Sequence, residues 1–190
     1  MSANVSDDKQ SLRQAILAKR SVDQSSETQS GFAQQLIKLV SDLGVRRIGC
    51  YLSFGSEPST REFISAIQEA GIVLACPRVE DDGSMVFVEL GQSTEHTKLG
   101  FEQPVGKEVP SSELELLVIP AIAIDESGQR LGRGAGYFDR YLQTYLGITV
   151  AMVYESEFVT SLPAESHDEP VNWVVLPTKT FALPLSGNIR

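Results

Sequence analysis

The chain has 190 residues, of which 42% are hydrophobic and 22% charged, a composition typical of one soluble globular domain with a sizeable core. Its formal net charge of −9 argues against a nucleic-acid-binding surface, and it has neither an apolar run of roughly 18 residues for a membrane span nor a secretory signal. We therefore expect a single domain over residues 1–190 in the cytoplasm, with no nucleic-acid or membrane partner.

The first half of the chain predicts helices that alternate with strands. The helices are expected over residues 9–20, 27–43 and 60–70, and the strands over residues 48–53, 72–76 and 85–90. Ser26 and Gln29 have the spacing of a capping box at the start of the second helix, and Gly44 is expected to end it. Cys50 and Cys76 lie in apolar strand segments, so we expect buried, reduced thiols.

The second half continues this alternation after a long polar surface connection over residues 91–112. Residues 114–119 form an apolar run that predicts a strand buried on both faces, with residues 121–124 as its extension. The remaining elements are expected to be a helix over about 137–146 and strands over 148–154 and 173–176. This pattern predicts an α/β fold with a three-layer, mostly parallel sheet and helices on both faces.

The most distinctive segment, residues 130–140, reads Arg-Leu-Gly-Arg-Gly-Ala-Gly-Tyr-Phe-Asp-Arg. It holds three glycines and three arginines, where the overall composition predicts about one of each. Glycine lets backbone N–H groups turn toward a ligand, and the planar guanidinium of arginine suits phosphate. The segment leads from a strand into a helix, where α/β proteins bind ligands, so it predicts a phosphate-binding loop. Its glycine spacing matches neither a Walker A loop nor a dinucleotide fingerprint.

Two carboxylates are candidate metal ligands. Asp139, at the end of the glycine-rich segment, is either an ion-pair partner for an arginine or a Mg²⁺ ligand, and spacing does not separate these roles. Asp168 follows His167, and such a pair is more often on the surface or in a supporting position than catalytic. Asp168 is nevertheless a candidate second carboxylate for a metal.

Three further charged residues have both an ordinary and a functional interpretation. Glu57 follows a predicted strand, where it is either a turn residue before the next helix or part of a binding site. Lys9 and Arg13 are four residues apart and share a helix face, which is either solvated or folded over the phosphate loop.

Taken together, these segments resemble the 5-formyltetrahydrofolate cyclo-ligase family, also called methenyltetrahydrofolate synthetases, over about residues 9–178. The motifs that carry the resemblance are Lys9-x-x-x-Arg13, Tyr51 to Glu57, Arg130 to Asp139, and Pro163 to Asp168. Two positions depart from the family pattern. Phe138 stands where a second Tyr is usual, and Asn172 stands where a carboxylate often follows the last motif.

The resemblance implies ATP- and Mg²⁺-dependent ring closure of 5-formyltetrahydrofolate to 5,10-methenyltetrahydrofolate, with release of ADP and phosphate. The implied ATP contacts are Lys9, Arg13, Arg130, Leu131, Gly132, Arg133, Gly134, Ala135, Gly136, Tyr137 and Phe138. The implied contacts to the reduced folate are Leu52, Glu57, Arg133, Gly134, Ala135, Gly136 and Tyr137. Arg133 and Tyr137 are expected to act in catalysis, and Asp139 and Asp168 to hold Mg²⁺. We expect the protein to be a monomer.

The implied chemistry is phosphorylation of the formyl oxygen followed by attack of N10. It needs positioning and charge neutralisation rather than a Ser, Cys or His nucleophile, and none is apparent. Two other functions remain open at this level. One is a different enzyme on a similar scaffold, acting on a phosphosugar or an acyl-CoA without ATP. The other is a non-catalytic nucleotide- or folate-binding module, which the presence of both Asp139 and Asp168 disfavours.

Overall fold

The computed structural model describes residues 2–20, 25–91, 94–96, 102–165 and 168–184. The α-helices in these ranges are α1 (Ser2–Lys19), α2 (Ser26–Leu43), α3 (Arg61–Glu69) and α4 (Tyr137–Leu142). The strands are β1 (Arg47–Cys50), β2 (Val73–Val79), β3 (Met85–Glu89), β4 (Thr94–His96), β5 (Glu102–Pro104), β6 (Glu108–Val109), β7 (Leu116–Pro120), β8 (Ala123–Asp125), β9 (Arg130–Leu131), β10 (Ile148–Met152), β11 (Phe158–Val159), β12 (Trp173–Val175) and β13 (Thr180–Ala182).

The large sheet contains eight of these strands in the order β13-β12-β10-β7-β1-β2-β3-β6. The five strands from β12 to β2 run parallel, whereas β13 at one edge and β3 and β6 at the other are antiparallel to their neighbours. The sheet is therefore mixed, which corrects the prediction of a mostly parallel sheet. The reason is local, because a connection as short as residues 80–84 between β2 and β3 can join only antiparallel neighbours.

Strand β7 lies near the centre of this sheet, and its side chains alternate between two apolar clusters. Leu116 and Val118 pack with residues of α2 and α3, while Leu117 and Ile119 pack in the cluster on the other face. All four are completely buried, which confirms the prediction of a strand buried on both faces. The second face is covered by the six-residue α4 and by connecting segments, so the expected three-layer arrangement stays a prediction.

Helix α1 packs on a smaller three-stranded sheet, ordered β11-β8-β9. Leu12, Ile16 and Leu17, the residues that predicted a helix, contact a cluster that includes Ala123 of β8 and Leu131 of β9. The segment after β7 therefore does not extend that strand but starts a second sheet. This sheet places the glycine-rich segment, which follows β9, beside α1.

The two ends of α2 differ in how well local sequence signals predicted them. Gly44 ends the helix as predicted, with a left-handed φ of 68° and its N–H donating to Val40 and Ser41. The start is different, because the N-cap is Ser25, whose hydroxyl accepts from the backbone of Thr28. The predicted capping box of Ser26 and Gln29 is wrong.

Strand β2 extends beyond residue 76, its predicted end, and continues through Pro77. β1 pairs only with residues 73–75 of this strand, so the missing N–H of Pro77 falls beyond that pairing. Cys50 and Cys76 are buried free thiols, as predicted, and burial raises the pKa of both, for Cys76 to about 12. Among the described helices, none combines the length and apolar character needed to cross a bilayer.

Candidate active site

The glycine-rich loop, residues 132–136, connects β9 to α4 through two backbone conformations that favour glycine. Gly134 has a φ of 101° and Gly136, the N-cap of α4, a φ of 71°. Side chains other than glycine are strained in this region. The backbone conformation therefore explains two of the three alternating glycines, while a Cβ at Gly132 would lie 2.7 Å from the Arg130 guanidinium.

The loop lines a cavity of about 270 Å³ at the carboxyl ends of β1, β2 and β7. This is the edge of a parallel sheet at which ligands usually bind. The lining residues are Tyr51, Leu52, Phe54, Glu57, Pro77, Val79, Met85, Pro120, Arg130, Gly132, Arg133, Gly134, Ala135, Gly136, Tyr137, Phe138 and Asp139. The structure thus brings together most of the predicted site, whereas Lys9, Arg13, Leu131 and Asp168 lie outside this lining.

Glu57 joins the segment that follows β1 to the glycine-rich loop that carries Arg133. Its side chain is 3% exposed, and its Oε1 accepts from Nε of Arg133 at 2.7 Å. Its Oε2 accepts from the backbone N–H of Phe54 at 3.0 Å, and the Arg133 guanidinium lies 4.3 Å from the centre of the Phe54 ring. The pair therefore fixes a carboxylate and a cation side by side at the cavity, with the guanidinium stacked on an aromatic face.

Arg130 is buried beneath the loop, with a side-chain exposure of 3%. Its Nη1 donates to the carbonyl of Pro120 at 3.0 Å and its Nη2 to Oδ1 of Asp139 at 2.5 Å. Of the two roles that spacing left open for Asp139, the structure contains the ion pair. The Phe138 ring centre lies 6.0 Å from the same guanidinium, so the position that departs from the family pattern packs directly against Arg130.

The cations of α1 do not line the cavity. Arg13 donates from Nε to the carbonyl of Gly132 at 2.8 Å and thereby attaches the loop to α1. Lys9 binds Glu165 at 2.9 Å and Asp168 at 2.6 Å. Burial lowers the pKa of Lys9, but the hydrogen bonds and charges of the two carboxylates together outweigh it, so the pKa lies above its usual value.

The two predicted metal ligands therefore have different environments. Asp139 lines the cavity and is paired with Arg130, while Asp168 is paired with Lys9. Within the described part of the chain, no cluster of three or more His, Cys, Asp or Glu side chains has the geometry of a metal site. Mg²⁺ takes few protein carboxylates when phosphate oxygens and waters complete its shell, so the oxygen chemistry of Asp139 fits such an ion. His167 lies outside the described residues.

Sequence reasoning missed several residues of the site. Phe54 is a large apolar side chain, 45% exposed, and its place inside a matched motif was the available signal. Met85 reaches the cavity because the turn between β2 and β3 folds this hairpin beside the loop. Arg140 lies 5.2 Å from the Tyr137 ring centre and donates to the carbonyl of Gly83 in that turn at 3.4 Å.

Asn172, the other departure from the family pattern, has a structural partner. Its Oδ1 accepts from the backbone N–H of Thr149 at 2.7 Å and from the hydroxyl of the same residue at 3.0 Å. These bonds join the segment before β12 to β10. The position therefore supports the pairing of two strands.

Comparison with known proteins agrees with this geometry. The model of the 5-formyltetrahydrofolate cyclo-ligase family matches residues 5–177. The 5-formyltetrahydrofolate cyclo-ligase of Mycolicibacterium smegmatis is 30% identical over 185 residues, which cover 90% of this chain and 94% of that protein. The Escherichia coli K12 protein of the same name is 32% identical over 144 residues, covering 70% of this chain and 79% of its own length.

Solved structures show the same fold. The NMR structure of the Aquifex aeolicus 5,10-methenyltetrahydrofolate synthetase has a TM-score of 0.79 at 23% identity, with 96% of each chain covered. A 5,10-methenyltetrahydrofolate synthetase from Mycoplasma pneumoniae has a TM-score of 0.72 at 21% identity, covering 88% of this chain and 98% of that one. On the family match and the sequence relatives, the chain belongs to the 5-formyltetrahydrofolate cyclo-ligase family and is an enzyme of that family.

Proposed function

We propose that the protein converts 5-formyltetrahydrofolate to 5,10-methenyltetrahydrofolate, with ATP converted to ADP and phosphate and with Mg²⁺ as cofactor. One observation carries the proposal: a single cavity joins the glycine-rich loop to the buried carboxylate of Glu57. A phosphate-binding loop and an acceptor for a polar ring are thereby within one site. We further propose that the enzyme acts as a cytoplasmic, single-domain monomer.

We infer that the pterin ring of the folate lies against the apolar wall of the cavity. A pterin carries neighbouring N–H donors on one edge, and a carboxylate is an acceptor-only group with two oxygens. Glu57 is the buried carboxylate that faces this wall, and Leu52 and Phe54 offer it apolar surface. A planar ring held on its edge by Glu57 and on its faces by apolar side chains is oriented without any movement of the main chain.

We assign the ATP phosphates to residues 130–138. Gly134 and Gly136 have positive φ values, a backbone geometry that can turn N–H groups of the loop toward an anion, and Gly132 precedes them. Lys9 and Arg13 remain proposed ATP contacts. Arg13 binds the loop at the Gly132 carbonyl and adds a positive charge beside it, whereas Lys9 is paired with Glu165 and Asp168. In this assignment Leu131, Ala135 and Phe138 shape the nucleotide site, while Ala135 also borders the folate.

Mg²⁺, when bound, would neutralise charge on the phosphates. Asp139 is the proposed ligand at the cavity, and Asp168 is the proposed second ligand near Lys9. Arg130 holds one oxygen of Asp139 and thereby orients the carboxylate.

The proposed reaction makes a poor leaving group into a good one. The formyl oxygen attacks the γ-phosphorus of ATP, a P–O bond forms and ADP leaves. N10 then attacks the formyl carbon, the bond from this carbon to the phosphorylated oxygen breaks, and phosphate departs as the N10 proton is lost. Arg133 would stabilise the charge of the transferring phosphoryl group, and the Tyr137 hydroxyl would donate to it. The ion pair between Arg133 and Glu57 places the Arg133 guanidinium next to the carboxylate that is proposed to bind the folate ring.

The direct test mixes purified protein with 5-formyltetrahydrofolate and MgATP and follows methenyl absorbance together with ADP. We expect ADP and the methenyl product to form in equal amounts. Glu57→Gln should raise the KM for the folate, while Glu62→Gln on the exposed side of α3 is the matched control. Absence of folate-dependent ADP release from the folded wild-type protein would reject the proposed function.

A further inference from the structure

Gln29, in the first turn of α2, forms a side-chain bridge between two segments far apart in the chain. Its Nε2 donates to the hydroxyl of Tyr154 at 2.9 Å, and its Oε1 accepts from the backbone N–H of Ser59 at 2.7 Å. Both ends of the amide are thereby satisfied, and both bonds are shielded from water in part. An amide used in this way fixes the distance between its two partners.

The Tyr154 end of the bridge is anchored in the core. Tyr154 is 2% exposed, and the edge of its ring packs against Phe32 with ring centres 5.4 Å apart. Its backbone N–H donates to Glu157, whose carboxylate pairs with Arg20 at 2.8 Å in the interior. Tyr154 is thus held on several sides, and it can act as a fixed point for Gln29.

The Ser59 end belongs to residues 53–60, the segment that carries Glu57. Within this segment, the Thr60 hydroxyl accepts from the N–H of Ser53 at 3.2 Å, and the Ser53 hydroxyl accepts from the N–H of Thr60 at 3.1 Å. The two bonds close the segment on itself, and the hydroxyl of Tyr51 donates to the carbonyl of Pro58 at 2.7 Å. The segment is therefore a stiff unit, and Gln29 ties it to α2 and the core two residues from Glu57.

We propose that Gln29 is a positioning residue for Glu57 and hence for folate binding; this inference rests on the function proposed above. Gln29 is not among the residues that line the cavity. It fixes the position of residues 53–60 relative to α2, and thereby the position from which the Glu57 carboxylate contacts the folate ring. Its loss lets the segment move, which weakens the folate contact. The nucleotide loop shares the Arg133–Glu57 pair with this segment, but it is also held by its own contacts, from Arg13 to Gly132 and from Arg130 to Asp139, so we expect it to move less.

The test compares steady-state kinetics of Gln29→Met and Gln29→Glu. Met keeps the length of the side chain and loses both hydrogen bonds, so we expect the KM for 5-formyltetrahydrofolate to rise about three- to tenfold, the range for one or two neutral hydrogen bonds. The KM for ATP should stay within about twofold by the same measure. Gln29→Glu should restore most of the folate KM, because a carboxylate can accept from both Ser59 and the Tyr154 hydroxyl.

Gln35→Met is the matched control on the same helix. Gln35 also uses both ends of its amide, on Thr178 and Thr180, but these bonds lie far from the cavity. We expect it to lower thermal stability like Gln29→Met and to leave both KM values unchanged. If Gln29→Met fails to fold, Tyr154→Phe removes one end of the bridge and should raise the folate KM alone.

Three results overturn the inference and can be told apart from failure of the proposed function. An unchanged folate KM in a folded Gln29→Met or Tyr154→Phe variant rejects the positioning role while the wild-type turnover stands. An equal rise of both KM values, or failure of Gln29→Glu to restore the folate KM, shows a general structural role instead. A wild-type protein without folate-dependent turnover rejects the proposed function, and the inference with it.

Discussion

Helices α1 and α2 each contain 18 residues, yet different forces attach them to the rest of the molecule. α2 buries a continuous apolar stripe that includes Phe32 and Leu36, both completely buried. α1 has no apolar residue that is fully buried within its described side chains, and its contacts come in large part from cations. Lys9, Arg13 and Arg20, the last directly after the helix, each bind a different distant segment.

The difference concerns more than stability. Burial of apolar area is not directional and responds little to salt or pH, whereas ion pairs and hydrogen bonds fix particular atoms and depend on charge. α2 therefore builds the core, while α1 connects the glycine-rich loop and the segment of Asp168 to the small sheet. Changes in the apolar stripe of α2 should appear first in the free energy of unfolding, and changes in the cations of α1 should also appear in the use of substrates.

The largest expected effect comes from the apolar stripe of α2. Phe32→Ala removes a ring that packs against Tyr154 at the centre of the core. We expect a loss of about 3 to 5 kcal/mol in the free energy of unfolding, as for other large-to-small changes in a core. Urea denaturation monitored by circular dichroism measures it. A loss below about 1 kcal/mol would mean that α2 is not held mainly by packing.

The buried ion pair after α1 should come next. Arg20 and Glu157 have side-chain exposures of 1% and 3%, and Arg20 also donates to the carbonyl of Ala121 at 2.7 Å. Arg20→Met leaves the Glu157 carboxylate without its cation, and we expect destabilisation of about 3 kcal/mol. Arg20→Met combined with Glu157→Gln keeps an acceptor for the backbone of Tyr154 and should recover part of the loss. A double variant no more stable than the single one would contradict this.

The third effect concerns catalysis at the loop that α1 supports. Arg133 is 37% exposed at the cavity and pairs with the buried Glu57. We expect Arg133→Ala to weaken the use of ATP by about 1.5 to 3 kcal/mol in kcat/KM, the range for a charge-assisted hydrogen bond. Arg46→Ala, at an exposed position before β1, is the control. An unchanged dependence on ATP would remove Arg133 from the nucleotide site.

Arg13 should have a smaller effect of the same kind, because it binds the loop without lining the cavity. Arg13→Met removes the guanidinium, which donates to the Gly132 carbonyl and lies beside Gly134, and it keeps an unbranched apolar side chain. We expect the KM for ATP to rise about three- to tenfold, with a smaller change in the folate KM. A larger change for the folate than for ATP would show that α1 supports the other substrate.

This contrast explains how much the sequence could predict. The periodicity of α2, the buried run of β7 and the enrichment of glycine and arginine each reflect neighbours in the chain. The first two predicted their elements, and the third located the loop that lines the cavity, whose binding of phosphate stays a prediction. The bridge of Gln29 depends on Tyr154, 125 residues away, and local spacing suggested a capping box instead. In the same way, spacing could not decide whether Asp139 pairs with Arg130, because that depends on how the loop folds back over β9.

The smallest expected effect is the pH dependence of the α1 attachment. The pKa of Lys9 is raised above its usual value, because its hydrogen bonds and ion pairs with Asp168 and Glu165 outweigh the effect of burial. A raised pKa in the folded state means that this contribution to stability is complete below the pKa of the unfolded chain and is lost as pH rises through the folded value. Tyrosines also titrate in this range, since burial raises the pKa of Tyr141 to about 12. The difference in unfolding free energy between wild type and Lys9→Met isolates the contribution of the lysine. This difference should be constant from about pH 7 to about pH 9, which is roughly one pH unit below the usual lysine pKa, and it should shrink as the pH rises further. A difference that stays constant through strongly alkaline pH would show that the ammonium charge of Lys9 does not hold α1 in place.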